Sequence, residues 1–63
     1  MQVRDLLQSF YDSEINFKMS WIWDAGIDLV LGDETNGIIE ETTCDNMQEV
    51  EKTLERWRIK HGL

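Results

Sequence analysis

Proline is absent from this 63-residue chain, and cysteine occurs once. A single cysteine cannot close an internal disulfide. With one histidine, His61, there is no Cys/His set for structural zinc. Stability must come from packing, in a chain near the lower size limit for folding unaided, or from a partner or self-association. Uninterrupted apolar runs span only a few residues, which excludes a membrane-spanning helix. The start, Met1-Gln2-Val3-Arg4-Asp5, lacks the apolar stretch of a signal peptide, so the expected compartment is a reducing cytosol. Positive charge is scarce too: 6 Lys and Arg stand against 13 Asp and Glu, a net charge of −7. What is present in quantity is apolar side chain, 41% of residues with three Trp, which argues against a disordered chain.

The acids are unevenly placed. Asp24, Asp28, Asp33, Glu34, Glu40, Glu41 and Asp45 fall within 24–45, where there is no Lys or Arg. The flanking segments nearly balance, so this stretch carries the whole net charge. A field of one sign repels nucleic acid, whose affinity comes from neutralised phosphates. It attracts basic surfaces and speeds association with them. The plain alternative is solubility.

Hydropathy changes period twice. Val3, Leu6, Leu7 and Phe10 form one helix stripe over 2–12. Asp12-Ser13 reads as a break. Ile15, Phe17, Met19, Trp21 and Trp23 then alternate with mostly polar neighbours, as in a half-buried strand. Ala25-Gly26 marks a turn, and Ile27, Leu29 and Leu31 make a second strand. The turn-forming run 32–37 leads to a β-branched third strand, 38–44. Asp45 and Gln48 read as a capping box opening a helix over 45–61. Met47, Val50, Leu54, Trp57 and His61 lie on its apolar stripe, and Gly62 suits the position after its end.

The order is α-β-β-β-α, an α+β domain of two layers. A three-stranded antiparallel meander carries both helices on one face, in a single domain, 1–63. The expected core is Val3, Leu6, Leu7, Phe10, Ile15, Phe17, Met19, Trp21, Trp23, Ile27, Leu29, Leu31, Ile38, Val50, Leu54 and Trp57. A three-residue loop 25–27 places Ile22 opposite Val30. A four-residue loop 33–36 places Val30 opposite Ile39 and Asp28 opposite Glu41. Ile22, Val30 and Ile39 then form an apolar row on the outer face, rimmed by Asp28 and Glu41, with Asp24 near the turn. Like charges directly opposite cost stability, and an apolar stripe rimmed by one sign of charge suits a basic partner.

Chemistry is not expected. Asp24, Asp28, Asp33 and Glu34 miss the EF-hand spacing. Cys44 and His61 end different elements, and Glu40 and Glu41 point to opposite faces of a strand. Asn36-Gly37 is turn chemistry rather than a phosphate loop. No catalytic residue, cofactor or metal is assigned.

The element order is similar to that of the double-stranded-RNA-binding domain. The Lys cluster such domains carry at the second helix N-terminus is replaced here by Asp45, Asn46, Gln48 and Glu49. RNA binding is therefore not implied. The run Phe10-Tyr11-Asp12-Ser13-Glu14-Ile15-Asn16-Phe17, with Ser20-Trp21, Trp23-Asp24 and Leu31-Gly32-Asp33, resembles small uncharacterised proteins of proteobacteria and their mobile elements, over 4–45. In size and charge the chain is also similar to small acidic phage inhibitors, anti-CRISPR proteins among them, which occupy basic nucleic-acid channels.

The expected function is a non-catalytic interaction module, an inhibitor or nucleic-acid mimic on a basic protein surface. Its contact residues are Asp24, Asp28, Asp33, Glu34, Glu41, Ile22, Val30 and Ile39. Neither nucleic acid nor membrane is an expected partner. The alternative is a homodimer built on the same apolar row.

Overall fold

A computed structural model describes residues 2–63. The elements are α1 (Val3–Asp12), β1 (Phe17–Ile22), β2 (Gly26–Asp33), β3 (Gly37–Cys44) and α2 (Met47–His61). The strands form one antiparallel sheet in the order β1-β2-β3, the expected meander.

The helix stripes are buried along most of their length, though Met47 at the start of α2 is exposed. Leu6 and Phe10 of α1 and Val50, Leu54 and Trp57 of α2 are buried with Leu29 and Leu31 of β2. A fully buried side chain of this kind contributes about 1.5–3 kcal/mol. The Phe10 and Phe17 rings meet edge to face at 5.5 Å and join α1 to β1. Val3, Leu7, Ile15, Phe17, Met19 and Ile27 pack around this centre. Cys44, Thr53 and Leu63 join them without having been anticipated. The Cys44 thiol lies 3.7 Å from the Thr53 hydroxyl, a polar pair that lets both be buried. At the other end of α2, Gly62 takes a left-handed conformation and Leu63 folds back. There the Ser9 hydroxyl donates to the Leu63 carbonyl at 2.5 Å.

Three expectations need correction. The first is the cap of α2, which is Asn46 rather than Asp45. Asn46 Oδ1 accepts from the Glu49 amide at 2.9 Å, and Glu49 Oε2 accepts from the Asp45 amide at 2.7 Å. The second is register. The first hairpin turns at 23–25, so Ile22 faces Gly26 and Val30 faces Lys18. In the second hairpin Asp33 pairs with Gly37. The Asp33 carboxylate caps its own turn, accepting from the Asn36 amide at 2.6 Å, which holds Asp33 in the strand and shortens the loop. A bulge follows between Leu31 and Gly32. It places Val30 opposite Glu41, and Asp28 opposite Thr43.

Gly32 makes that bulge possible. Its φ is +96°, and a side chain there would strike the Gly37 carbonyl oxygen. Ile39 is the extra residue of the bulge, and Ile38 pairs with Gly32 on the outer face. Ile38 therefore leaves the expected core and is exposed.

The third correction concerns Trp21 and Trp23, which are also outside the core. Alternation does turn Trp21 toward the helix-covered face, opposite Ile27. Trp21 is nevertheless left 69% exposed at the hairpin end. Trp23 sits in the turn itself and has no strand face to follow.

Candidate functional site

Both helices lie on one face, so the other face of the sheet is bare. It presents Lys18 and Ser20 from β1, Asp28 and Val30 from β2, and Ile38, Glu41 and Thr43 from β3. Val30 is half-buried between Lys18 and Glu41. Asp28, Val30 and Glu41 line one shallow depression of about 380 Å³. These three of the expected contact residues are brought together.

The apolar row of Ile22, Val30 and Ile39 does not form. Ile22 lies at the hairpin end, Ile39 is in the bulge, and Lys18 occupies the place beside Val30. Nor do Asp28 and Glu41 face each other, so the expected like-charge pair is absent. Asp28 instead accepts from the Thr43 hydroxyl at 2.8 Å.

The remaining acids divide by role. Asp33 is committed to its turn: besides the Asn36 amide, its carboxylate accepts from the Asn36 and Asn16 side chains. Those bonds, the Asn36 amide foremost, hold its pKa below the ordinary aspartate value. Glu40 is committed to α2, accepting from Lys60 Nζ at 2.8 Å with His61 Nε2 at 3.1 Å. The Lys60 bond and then the His61 bond hold its carboxyl below the usual range. Glu34 is exposed in the second turn. Asp24 is exposed in the first, at a φ of +65° that aspartate tolerates better than most residues. Among the described residues, Asp24, Asp28, Glu34, Glu41 and Asp45 are exposed and form no ion pair with Lys, Arg or His.

A depression of about 760 Å³ lies at the end of the first hairpin. Its walls include Trp21, Ile22, Trp23 and Met47, with Asp24 and Asp45 at the polar positions. No lysine or arginine lines it. Trp21 is 69% exposed, Ile22 74% and Trp23 88%. Such an apolar group on so small a protein marks a contact surface better than scattered single residues do. Of this group, only Ile22 and Asp24 were among the expected contacts. One signal was available: Trp21-Ile22-Trp23 is an unbroken apolar triplet, and a strand with one covered face must leave part of such a run outside.

Reactive side chains are not assembled. Cys44 is buried against Thr53, while His61 is engaged with Glu40. Among the described residues no group of three His, Cys, Asp or Glu could hold a metal ion, and no helix is long and apolar enough to cross a membrane. No family model, curated protein or solved structure matches the chain, so its own surface has to carry the functional reading.

Proposed function

We propose that this chain is a non-catalytic interaction module that docks on a basic protein surface, of the kind a nucleic-acid-binding protein presents. Occupying that surface would block it, which is the mode of an inhibitor. The observation that carries the reading is the set of five exposed acids, Asp24, Asp28, Glu34, Glu41 and Asp45, none of which forms an ion pair with Lys, Arg or His among the described residues. They border two uncovered apolar areas, Val30 with Ile38 on the bare sheet face and the tryptophan-rich hairpin end. The rims are predominantly acidic, with Lys18 the one cation lining the sheet-face depressions, and an apolar centre with such a rim suits a basic partner.

The test begins with capture on the tagged chain at low salt. The captured protein is purified and its affinity measured against salt. Binding that weakens as salt rises is expected. Reversing Asp28 and Glu41 together to Lys should lower affinity by about 2–4 kcal/mol, about thirty- to several-hundredfold, since each reversal removes an attraction and adds a repulsion. Val30→Asp should weaken binding through lost apolar contact. Affinity indifferent to salt and to the reversals would defeat the reading. So would sedimentation showing only a homodimer that Val30→Asp turns into monomer.

A further inference from the structure

We infer that the depression at the end of the β1–β2 hairpin seats an arginine side chain of the basic partner, stacked on the exposed indoles with its guanidinium turned to Asp24 and Asp45. The inference rests on the proposed function and names the contact at its centre.

The argument starts from what the hairpin leaves in water. Trp21, Ile22 and Trp23 are all more than two-thirds exposed, and Met47 half exposed, at one end of the sheet. The core closes at Leu29, Leu31, Val50 and Leu54 without them. The only charges along the walls are two carboxylates, both exposed and free of ion pairs among the described residues.

Indole is the strongest of the aromatic faces toward cations. Arginine is the cation that both stacks on an aromatic plane and forks its N–H groups onto a carboxylate. A long aliphatic stem carries it, and that stem fits beside Ile22 and Met47. Ile22 and Met47 also offer apolar surface to a neighbour of the arginine, which is why the probe peptides below alternate arginine with leucine.

Other occupants match less well. A second copy of this chain brings its own Asp24 and Asp45 and a net charge of −7. A nucleic acid could stack its bases on the tryptophans, but its phosphates would meet the same carboxylates. A neutral lipid surface would accept the indoles and leave the acids without a role.

The experiment uses the whole chain and three labelled synthetic peptides of one sequence, arginine and leucine alternating. One carries arginine, one lysine, and one citrulline, which keeps the shape without the charge. Fluorescence anisotropy at low salt reads binding. The arginine peptide should bind about tenfold or more tighter than the citrulline peptide, and a few-fold tighter than the lysine peptide. Trp23→Ala should weaken it about fivefold or more, as should Asp24→Asn with Asp45→Asn. Trp23 is nearly all in solvent, so its removal leaves the fold, which circular dichroism checks.

Equal affinity for the arginine and citrulline peptides would overturn the inference. So would no response to Trp23→Ala and the asparagine pair, or partition of the hairpin into phosphatidylcholine vesicles in place of peptide binding. The two proposals fail separately. Salt-dependent binding of the captured partner that Asp28→Lys with Glu41→Lys abolishes, and the hairpin variants do not touch, defeats the arginine site and leaves the proposed function standing. Salt-independent partner binding defeats both.

Discussion

Glu40 lies where β3 meets the last turn of α2, held by Lys60 and His61. Those partners stabilise its charged form, so its folded pKa lies below the ordinary glutamate value of 4.5. A carboxyl with a depressed folded pKa stabilises the fold fully above its unfolded pKa, and loses that contribution as pH falls through the folded value. Glu40→Gln should therefore lower stability most near neutral pH. Its deficit should shrink in acid below about pH 4.5. Denaturant midpoints for both chains across that range check it; a deficit of constant size would mean that the Glu40 charge does not stabilise the fold. None of this was legible beforehand, since the contact joins residues twenty and twenty-one positions apart. The role of Asp33 was nearer to hand. It sits in a turn-forming run, where an aspartate side chain bonds its own backbone two or three residues on.

At the scale of elements, helix α2 had two overlapping ways to begin. Asp45 with Gln48 and Asn46 with Glu49 both have the capping-box spacing. The second is used, and the physical reason lies in Glu49. A carboxylate accepts a stronger bond from a backbone N–H than an amide does, and it complements the positive end of the helix. Asn46→Ala should then cost about 1 kcal/mol in thermal or urea unfolding, and Asp45→Ala only a few tenths. The reverse ranking would return the cap to Asp45. The five elements themselves were legible because each apolar stripe has one period and each change of period coincides with a break. Face was legible as well: alternation turns Leu29 and Leu31 inward and Asp28 and Val30 outward under the expected register and the observed one alike. Absolute register was not. It depends on which turn closes, and the Asp33 cap and the Gly32 bulge together moved Asp28 away from Glu41 and Ile39 away from Val30.

For the whole molecule, periodicity says which way a side chain points but not whether a second layer reaches it. That is why Trp21 and Trp23 looked like core. The inward direction of Trp21 was right, but its side chain is left largely exposed at the hairpin end. The segregation of charge, by contrast, was fully legible, because it is a property of the chain before it folds. Folding concentrates it further: Glu40 is the one acid of the 24–45 stretch that an ion pair neutralises among the described residues, and five others stay exposed. Such a surface repels itself, most strongly where counterions are few. Salt should then have opposite effects on folding and on function. Raising sodium chloride from about 0.01 M to 0.3 M shortens the screening length from about 30 Å to below 10 Å, less than the 31 Å length of the molecule. The unfolding midpoint should rise, by the equivalent of about 0.5–1 kcal/mol for several exposed like charges, while affinity for the proposed basic partner should fall. Asp28→Lys with Glu41→Lys lowers the net charge from −7 to −3 and should flatten both responses. Stability indifferent to salt in the unaltered chain would mean that the acids are too far apart to repel, and too far apart to act jointly on one partner.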